Sequence, residues 1–207
     1  MSATVITRLV RMVRWEPGTK ERLQAAALEL FAERGFEQTT AADIAAAVGL
    51  TERTFFRHFA DKREVLFDGQ SRLVDAFLAG VAAVPAGAPA LDVVAGALAS
   101  GAELFPDDRR AWSRLRHRVI DQHPALQERE RHKMAELAAT LRTALVDRGI
   151  PDPAATLAAE SGATVLGVAF GQWLRAGEQR SLAQIQSAVL GDLRSLAGAP
   201  PRSSATR

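Results

Sequence analysis

Apolar residues recur every three to four positions along most of this chain, which is the period of an α-helix. Within residues 19–34, Leu23, Ala27, Leu30 and Phe31 fall on one face, and charged residues occupy much of the rest. Similar stripes continue to about residue 197, and no segment alternates apolar and polar residues as a strand would. The pattern therefore predicts an all-α protein.

Proline, glycine and capping residues divide the pattern into about nine helices, with Thr19 expected to cap the first. The fourth begins after Asp61 and extends past residue 80, so it is long enough to belong to two domains at once. We expect it to join an N-terminal domain over residues 18–66 to a larger helical domain over residues 67–197. The predicted helices are 19–34, 40–48, 51–59, 61 to beyond 80, 91–104, 107–123, 124–148, 154–177 and 181–197.

The two ends of the chain have no clear helical period. Residues 1–17 carry Arg8, Arg11 and Arg14, and they form either a flexible tail or a basic arm that contacts phosphates or a minor groove. Met12 is an alternative translational start. Residues 198–207 are rich in proline and serine, and we expect this tail to be disordered.

The stretch 40–62 predicts two short helices joined by a tight turn. Thr40 and Asp43 have the spacing of a capping box at the start of the first helix. Gly49 can adopt the left-handed conformation that ends this helix, and Thr51 then caps the second. Paired short helices with this turn are typical of a helix-turn-helix, but they also occur as corners in helical proteins that do not bind DNA.

The second of these helices has two different faces. Phe55 and Phe59 lie one turn apart and point the same way, and a helix this short needs them docked on neighbours to be stable. At about 100° per residue, Arg53, Phe56 and Arg57 then fall on the outer side. This is the arrangement of a recognition helix that enters the major groove of DNA.

Composition and charge narrow the function further. The net charge is only +2, but residues 1–22 and 51–63 each carry a local excess of basic side chains, as a DNA-binding surface requires. The absence of cysteine fits a reducing cytoplasm, and every apolar run of membrane-spanning length is interrupted by charge or proline. The four histidines are far apart, and no phosphate loop, nucleophile elbow or zinc-protease motif occurs. We therefore expect a cytoplasmic protein that does not contact membranes, with no metal, no cofactor and no enzymatic activity.

A row of residues between Thr19 and Leu66 matches a family pattern position by position. The matching residues are Leu30-Phe31, Gly35-Phe36, Thr39-Thr40, Ile44-Ala45, Gly49-Leu50-Thr51, Thr54-Phe55-Phe56, His58-Phe59 and Lys62. This segment, about the first third of the chain, resembles the N-terminal domain of the TetR family of transcriptional regulators. The resemblance implies a homodimer, paired through the last two helices of each subunit, that binds a palindromic operator in double-stranded DNA. It also implies a small-molecule effector that binds the C-terminal domain and tilts the fourth helix.

The resemblance and the exposed face together predict the DNA contacts. Arg53 and Arg57 are candidates for guanine or phosphate, Phe56 for a thymine methyl or a sugar, and Glu52 for cytosine unless it only strengthens the helix start. Ala42 stands where many family members carry a polar base-reading residue, so the first short helix is expected mainly to position the second. The remaining candidates, all for phosphate groups, are Thr40, Thr51, Thr54, His58 and Lys62.

The C-terminal segment offers candidates for an effector pocket and for a dimer interface. We expect the effector to be largely apolar, with an acyl or an aromatic body, although each aromatic residue could equally belong to the core. The candidate pocket residues are Phe77, Trp112, Leu115, Arg116, Phe170, Gln172 and Trp173. The candidate interface residues are the small ridge Ala155, Ala159, Ala163, Gly167 and Gly171 with Val189 and Leu193. The competing hypothesis is a helical-bundle carrier of small molecules, or an enzyme, that does not bind an operator.

Overall fold

The computed structural model describes residues 18–198, and this part of the chain is helical without strands. The predicted all-α fold is confirmed, whereas the basic N-terminal segment and residues 199–207 of the tail lie outside the described residues. The elements are α1 Thr19–Arg34, α2 Ala41–Ala47, α3 Glu52–His58, α4 Glu64–Phe67, α5 Gln70–Ala83, α6 Ala90–Ala102, a 3₁₀ turn Asp107–Arg109, α7 Arg110–Asp121, α8 Pro124–Asp147, α9 Asp152–Trp173 and α10 Leu182–Gly198.

Several helix boundaries differ from the prediction, and two of them lie near a glycine. The residue that precedes α1 is Gly18, which makes no side-chain cap, so Thr19 lies inside the first turn. The helix predicted to extend to residue 177 ends at Trp173, and Gly177 adopts a left-handed φ of 80° in the turn that follows. At the end of α9 the left-handed glycine, and not the apolar period, sets the turn that follows the helix.

The predicted fourth helix is divided in two at Asp68 and Gly69. The Asp68 carboxylate accepts a hydrogen bond from Gln24 Nε2 at 3.3 Å and lies 2.5 Å from Lys20 Nζ, and both partners are on α1. Gly69 follows, a residue that stabilises a helix poorly. The connection between the two halves of the molecule is therefore the short α4, anchored on α1, followed by a separate α5.

The first hydrophobic core is larger than the predicted N-terminal domain. Leu23, Phe31, Ile44 and Phe55 form its centre, and each is at most 2% exposed. Further buried residues of the same core come from the end of α7 and the start of α8, and they are Val119, Ile120 and Leu126. The predicted domain boundary at residue 66 therefore does not separate two cores. Residues of α7 and α8, beyond that boundary, complete the core that supports the helix-turn-helix.

A second core joins α5, α6, α8, α9 and α10, and small residues set its closest contacts. At the crossing of α5 and α6, Gly80 and Gly96 face each other. A Cβ atom on Gly80 would lie 2.8 Å from the Cα atom of Ala97, closer than side chains normally approach. Glycine therefore lets these two helices pack backbone against backbone.

Helix α9 is long and apolar enough to cross a membrane by length and composition alone. It nevertheless packs against α6, α8 and α10, with Ala155, Val165, Ala169 and Trp173 almost fully buried. Packing against these helices accounts for the buried apolar residues of one side of α9, whereas Leu157 and Val168 on its other side are 71% and 46% exposed.

Candidate nucleic-acid interface

The start of α2 is fixed by a complete capping box. Thr40 Oγ1 accepts a hydrogen bond from the Asp43 N–H at 3.1 Å, and Asp43 Oδ2 accepts one from the Thr40 N–H at 2.9 Å. The Thr40 hydroxyl also donates to this carboxylate at 2.6 Å, and these hydrogen bonds hold the pKa of Asp43 below its usual value. After α2, Gly49 has the left-handed φ of 71°. The predicted capping box and glycine turn are confirmed, and they set the angle at which α3 leaves.

Helix α3 is anchored by two phenylalanines, as its pattern predicts. Phe55 and Phe59 are 0% and 3% exposed, and their ring centroids lie 5.4 Å apart. Arg53 and Arg57 are exposed on the other side, and Phe56 beside them is 51% exposed. The Phe56 ring packs edge-on against Phe55, with centroids 5.4 Å apart, but about half of its surface remains exposed beside the guanidinium groups. This face is therefore the candidate interface.

The N-terminal end of α3 adds polar groups to the same surface. Thr51 Oγ1 accepts a hydrogen bond from the Thr54 N–H at 3.3 Å, so the predicted cap is confirmed. Thr51 and Glu52 are exposed and Thr54 is half-buried, next to Arg53. The structure thus brings the predicted residues of α3 and its cap together on one side, with the exposed Thr40 at the start of α2.

Lys62 does not face outward as predicted. Its Nζ donates to the carbonyl oxygens of Phe36 at 2.8 Å and Thr39 at 3.1 Å, and it lies 4.3 Å from the centroid of the Phe36 ring. An ammonium group has only three donors, and a third carbonyl, that of Glu37, lies 3.5 Å away. Lys62 is therefore corrected from a phosphate contact to a residue that ties the end of the helix-turn-helix to the loop before α2.

His58 is also placed differently from the prediction. Its Nε2 atom is buried and has no hydrogen-bond partner among the described residues. The ring packs beside Phe59, with centroids 6.4 Å apart. This nitrogen therefore cannot donate to a phosphate from the position it has in the structure, and the side chain contributes packing at the end of α3.

One contact that holds this unit together could not be read from the sequence, whereas another could. Arg22 of α1 donates from Nη2 to the carbonyl of Val48 at 2.6 Å, at the end of α2. Burial raises the pKa of Asp61, but hydrogen bonds from Arg63 and from the Glu64 N–H outweigh it, and the net shift is downward. Asp61 capping before α4 follows from residue spacing, whereas Arg22 and Val48 are distant in sequence and show no local signal.

Polar side chains of α7 and α8 also hold α4. Arg116 donates from Nε to the carbonyl of Leu66 at 2.7 Å and pairs with Glu130 at 2.8 Å. Arg129 pairs with Glu64 at 2.8 Å. Arg116 was predicted as a polar group for an effector, and the structure instead engages its guanidinium with the helix that connects to the DNA-reading unit.

The other predicted pocket residues do not surround one cavity. Leu115 packs against the first core, Phe77 is buried in the second, and Trp112 is 37% exposed on α7. Phe170 and Trp173 belong to a third cluster with their rings 5.6 Å apart, and Gln172 next to them is half-buried. Two clefts of about 290 and 490 Å³, between α8 and α9 and between α6 and α10, are lined by none of these seven residues.

The small-residue ridge of α9 does not stay on one face. Each step of four residues turns an α-helix by about 40°, so the row drifts around the helix. Ala155 and Ala159 are buried inside the subunit and Ala163 is half-buried, whereas Gly167 and Gly171 are exposed. The other predicted interface residues, Val189 and Leu193 of α10, are half-buried against the second core. Only the C-terminal part of the ridge is available to a partner.

Comparison with known proteins agrees with this interface. Residues 23–68 match the family described as bacterial regulatory proteins of the tetR family. The HTH-type transcriptional regulator TcmR of Streptomyces glaucescens is 47% identical over 79 residues. That match covers 38% of this chain and 35% of TcmR, so the chain spans about a third of the length of this relative.

Solved structures extend the similarity to most of the chain. FadR of Thermus thermophilus, a TetR-family repressor crystallised with lauroyl-CoA, is 25% identical with a TM-score of 0.50, and the match covers 91% of this chain and 98% of FadR. The fatty acid degradation regulator FadR of Bacillus halodurans has the same fold at a TM-score of 0.54 and 16% identity, with 86% of this chain and 98% of that protein covered. The motif between α1 and α4, the curated relative and the shared fold agree: residues 23–68 match the tetR family of bacterial regulatory proteins, and the chain as a whole resembles TetR-family regulators.

Proposed function

We propose that this chain is a ligand-responsive cytoplasmic repressor that binds a palindromic operator as a homodimer, with α3 in the major groove. The observation that carries the proposal is the two-sided α3. Phe55 and Phe59 anchor it, and Arg53, Phe56 and Arg57 project from the other side. The match of residues 23–68 to the tetR family supports a regulator, and the repressor function of the similar Thermus thermophilus FadR supports repression.

The exposed groups of α3 suit different parts of a DNA duplex. A guanidinium can donate two hydrogen bonds to guanine O6 and N7, and an exposed aromatic ring can contact a thymine methyl. We assign Arg53 and Arg57 to base edges and Phe56 to a methyl or a sugar. Thr51 and Thr54 lie at the start of α3, where free backbone N–H groups favour phosphate oxygens. Thr40, at the start of α2, donates both its N–H and its hydroxyl to the Asp43 carboxylate, so it keeps no free donor for a phosphate. Glu52 is assigned to cytosine N4.

A dimer is proposed because one α3 reads only half of a palindrome. Two-fold symmetry places a second α3 about 34 Å away, or a multiple of this distance, on the same side of the duplex. The exposed part of α9 is the proposed contact, since Gly167 and Gly171 sit beside Val168, which is 46% exposed. Small residues there would let the helices of two subunits approach closely.

The effector is proposed to be mainly apolar. The chain has no tyrosine, and the described C-terminal helices bury mostly aliphatic and alanine side chains. The similar FadR of Thermus thermophilus was crystallised with lauroyl-CoA, which supports an effector with an acyl or comparable apolar body. A carrier or an enzyme built on the same bundle would not need exposed arginines on a short capped helix, so the regulator is favoured.

Operator binding by the purified protein tests this function. DNA fragments selected by the wild-type protein should contain a palindrome, and Arg53→Ala or Arg57→Ala should each weaken its binding by about 1–3 kcal/mol. Arg63→Ala is the matched control, because this guanidinium is engaged with Asp61 at 2.8 Å. If both α3 variants bind the palindrome like the wild type while remaining folded, the assignment of this face is wrong.

Sedimentation tests the dimer. A Cβ atom added at Gly167 meets no other atom of the subunit within 4 Å, so Gly167→Leu should leave the subunit folded. At the proposed interface the larger side chain should separate the two copies and yield monomers. Ala32→Leu, an exposed position on α1, is the control for a leucine added to a surface helix. An intact Gly167→Leu dimer would remove this part of α9 from the interface.

A further inference from the structure

The loop between α9 and α10, residues 174–181, is held by two arginines of α7. Four of its carbonyl oxygens accept hydrogen bonds from these guanidinium groups, and they belong to Leu174, Arg175, Glu178 and Arg180. Arg114 binds the first pair through Nε and Nη2, each at 2.8 Å. Arg110 binds the second pair through Nη1 and Nη2, with Nη2 2.7 Å from the Arg180 oxygen. The loop is therefore fixed to α7 near both of its ends.

Arg110 is a buried charge that packing alone does not require. It is 8% exposed, it pairs with Asp107, and its guanidinium carbon lies 5.1 Å from the centroid of the Trp173 ring. Removing a guanidinium from water is costly, and an apolar side chain could fill the same space. An arginine differs from such a side chain because its planar fork donates hydrogen bonds in fixed directions. The direction in which the loop is held is therefore what Arg110 contributes.

The other end of α7 lies in the first core, which supports the helix-turn-helix. Val119 and Ile120 are each 2% exposed there, and Arg116 donates to the carbonyl of Leu66 on α4. The 12 residues of α7 span about 18 Å at 1.5 Å per residue. Helix α7 therefore connects the loop between α9 and α10 to the core on which α3 is anchored.

We propose that Arg110 and Arg114 are positioning residues for operator binding, which fix the DNA-reading unit, helices α1 to α3, relative to the dimer helices α9 and α10. The separation of the two α3 helices in a dimer depends on how each reading unit is oriented relative to the interface. Because both arginines hold α7 to the loop between the interface helices, the first core follows the orientation of that interface. This inference rests on the proposed homodimer and its operator.

The spacing of the two half-sites makes this orientation measurable. One base pair inserted between them moves the half-sites apart by about 3.4 Å and rotates one by about 34–36°. A dimer with fixed reading units binds one spacing well, whereas a dimer with loosely held units tolerates several. A variant that only unfolds more easily loses affinity for every spacing equally, so the ratio between spacings separates positioning from stability.

Binding to a series of operators tests the proposal. The series consists of the palindrome selected by the wild type and of the same half-sites with one base pair added or removed at the centre. The wild type should prefer the selected spacing, and Arg110→Met or Arg114→Met should each reduce this preference about tenfold, the equivalent of one hydrogen bond from a charged donor. Arg118→Met, at an exposed position of the same helix, removes the same charge and should keep the wild-type preference.

Distances between spin labels test the same orientation without DNA. The chain has no cysteine. Ala32→Cys, at an exposed position of α1, therefore gives one label in each reading unit of the dimer. In pulsed electron paramagnetic resonance, the distance distribution between the two labels should be broader when Arg110→Met or Arg114→Met is added. It should be unchanged when Arg118→Met is added.

A reduced spacing preference together with a broader distance distribution supports the proposal. An unchanged preference, or a reduced preference with an unchanged distribution, overturns it. If Arg110→Met does not fold, because it removes a buried contact of Trp173, the half-buried Arg114 alone decides between these results.

The wild type separates this proposal from the proposed function. A wild type that dimerises but binds no palindrome rejects the proposed function, and the label distances then decide whether the arginines position the reading units. A wild type that shows no dipolar coupling between labels on two subunits rejects the dimer, and the positioning role with it.

Discussion

The helix-turn-helix and the C-terminal bundle are stabilised by different kinds of contact. In α2 and α3, side chains within three residues of each helix start cap the backbone, and a left-handed glycine sets the turn. Helices α5, α6, α8 and α9 have no side-chain cap, and they pack through alanine and glycine. A comparable cap starts α10, where Ser181 Oγ accepts from the Gln184 N–H at 3.3 Å and Gln184 Oε1 accepts from the Ser181 N–H at 2.9 Å. The short helices of the reading unit are thus fixed at their starts, whereas α5, α6, α8 and α9 depend more on their neighbours.

The largest expected effect is the loss of a buried ring from α3. Phe55→Ala should destabilise the protein by about 3–5 kcal/mol, because it leaves a cavity in the first core. Phe56→Ala should cost only about 0.5–1.5 kcal/mol, since that ring is 51% exposed and packs edge-on against Phe55. Chemical denaturation of the two variants measures this contrast. Similar losses of stability in both would mean that α3 is not anchored by one face alone.

Lys62→Met removes the contacts of the ammonium group while keeping a long apolar side chain. It should cost about 2 kcal/mol of stability, because hydrogen bonds from a charged donor to two carbonyls are lost. Operator affinity should fall, but its dependence on salt should keep the same slope. Loss of a direct phosphate contact would instead reduce that slope by about 0.9. Such a reduction in a binding titration would restore Lys62 as a DNA contact.

Gly80→Ala tests the close helix crossing of the bundle. The added Cβ meets backbone atoms of Gly96 and Ala97, so we expect a loss of about 1–3 kcal/mol. Gly191→Ala is the matched control, since its Cβ meets nothing within 4 Å, and the better helix former should stabilise α10 by about 0.5–1 kcal/mol. Opposite signs in thermal unfolding would support the difference between the two positions. A tolerated Gly80→Ala would show that α5 and α6 can move apart at little cost.

The predictions that the structure confirms depend on contacts between near neighbours in sequence. The box of Thr40 with Asp43, the turn at Gly49 and the anchoring of Phe55 all follow from spacing within a few positions. The roles of Lys62 and Arg116 could not be predicted in this way. Lys62 reaches a loop more than 20 residues earlier, and Arg116 reaches a carbonyl 50 residues away. Neither contact leaves a pattern in the sequence.

The ridge of α9 shows a different limit of sequence reasoning. Small residues at every fourth position predict one face, but the slow rotation of such a row carries it from the inside of the subunit to its surface.

The candidate effector residues do not line one cavity for a related reason. Trp112 and Trp173 are the same type of residue, but Trp112 is 37% exposed on α7 whereas Trp173 is fully buried. Residue type alone does not determine which residues line a cleft.

The smallest expected effect concerns Asp43 and its dependence on pH. Hydrogen bonds from Thr40 lower the pKa of Asp43 in the folded protein below the value of about 3.9 expected in the unfolded chain. The carboxylate therefore adds stability that is fully present above pH of about 4 and is lost as the pH falls through the folded pKa.

Asp43→Asn should lower the urea midpoint slightly at pH 7, and the difference from the wild type should shrink at pH 3. Asp75→Asn, at an exposed position on α5, controls for the removed charge. A difference between Asp43→Asn and the wild type that stays constant from pH 7 to pH 3 would mean that the cap does not depend on the ionised carboxylate, and that α2 is held mainly by the Thr40 hydroxyl.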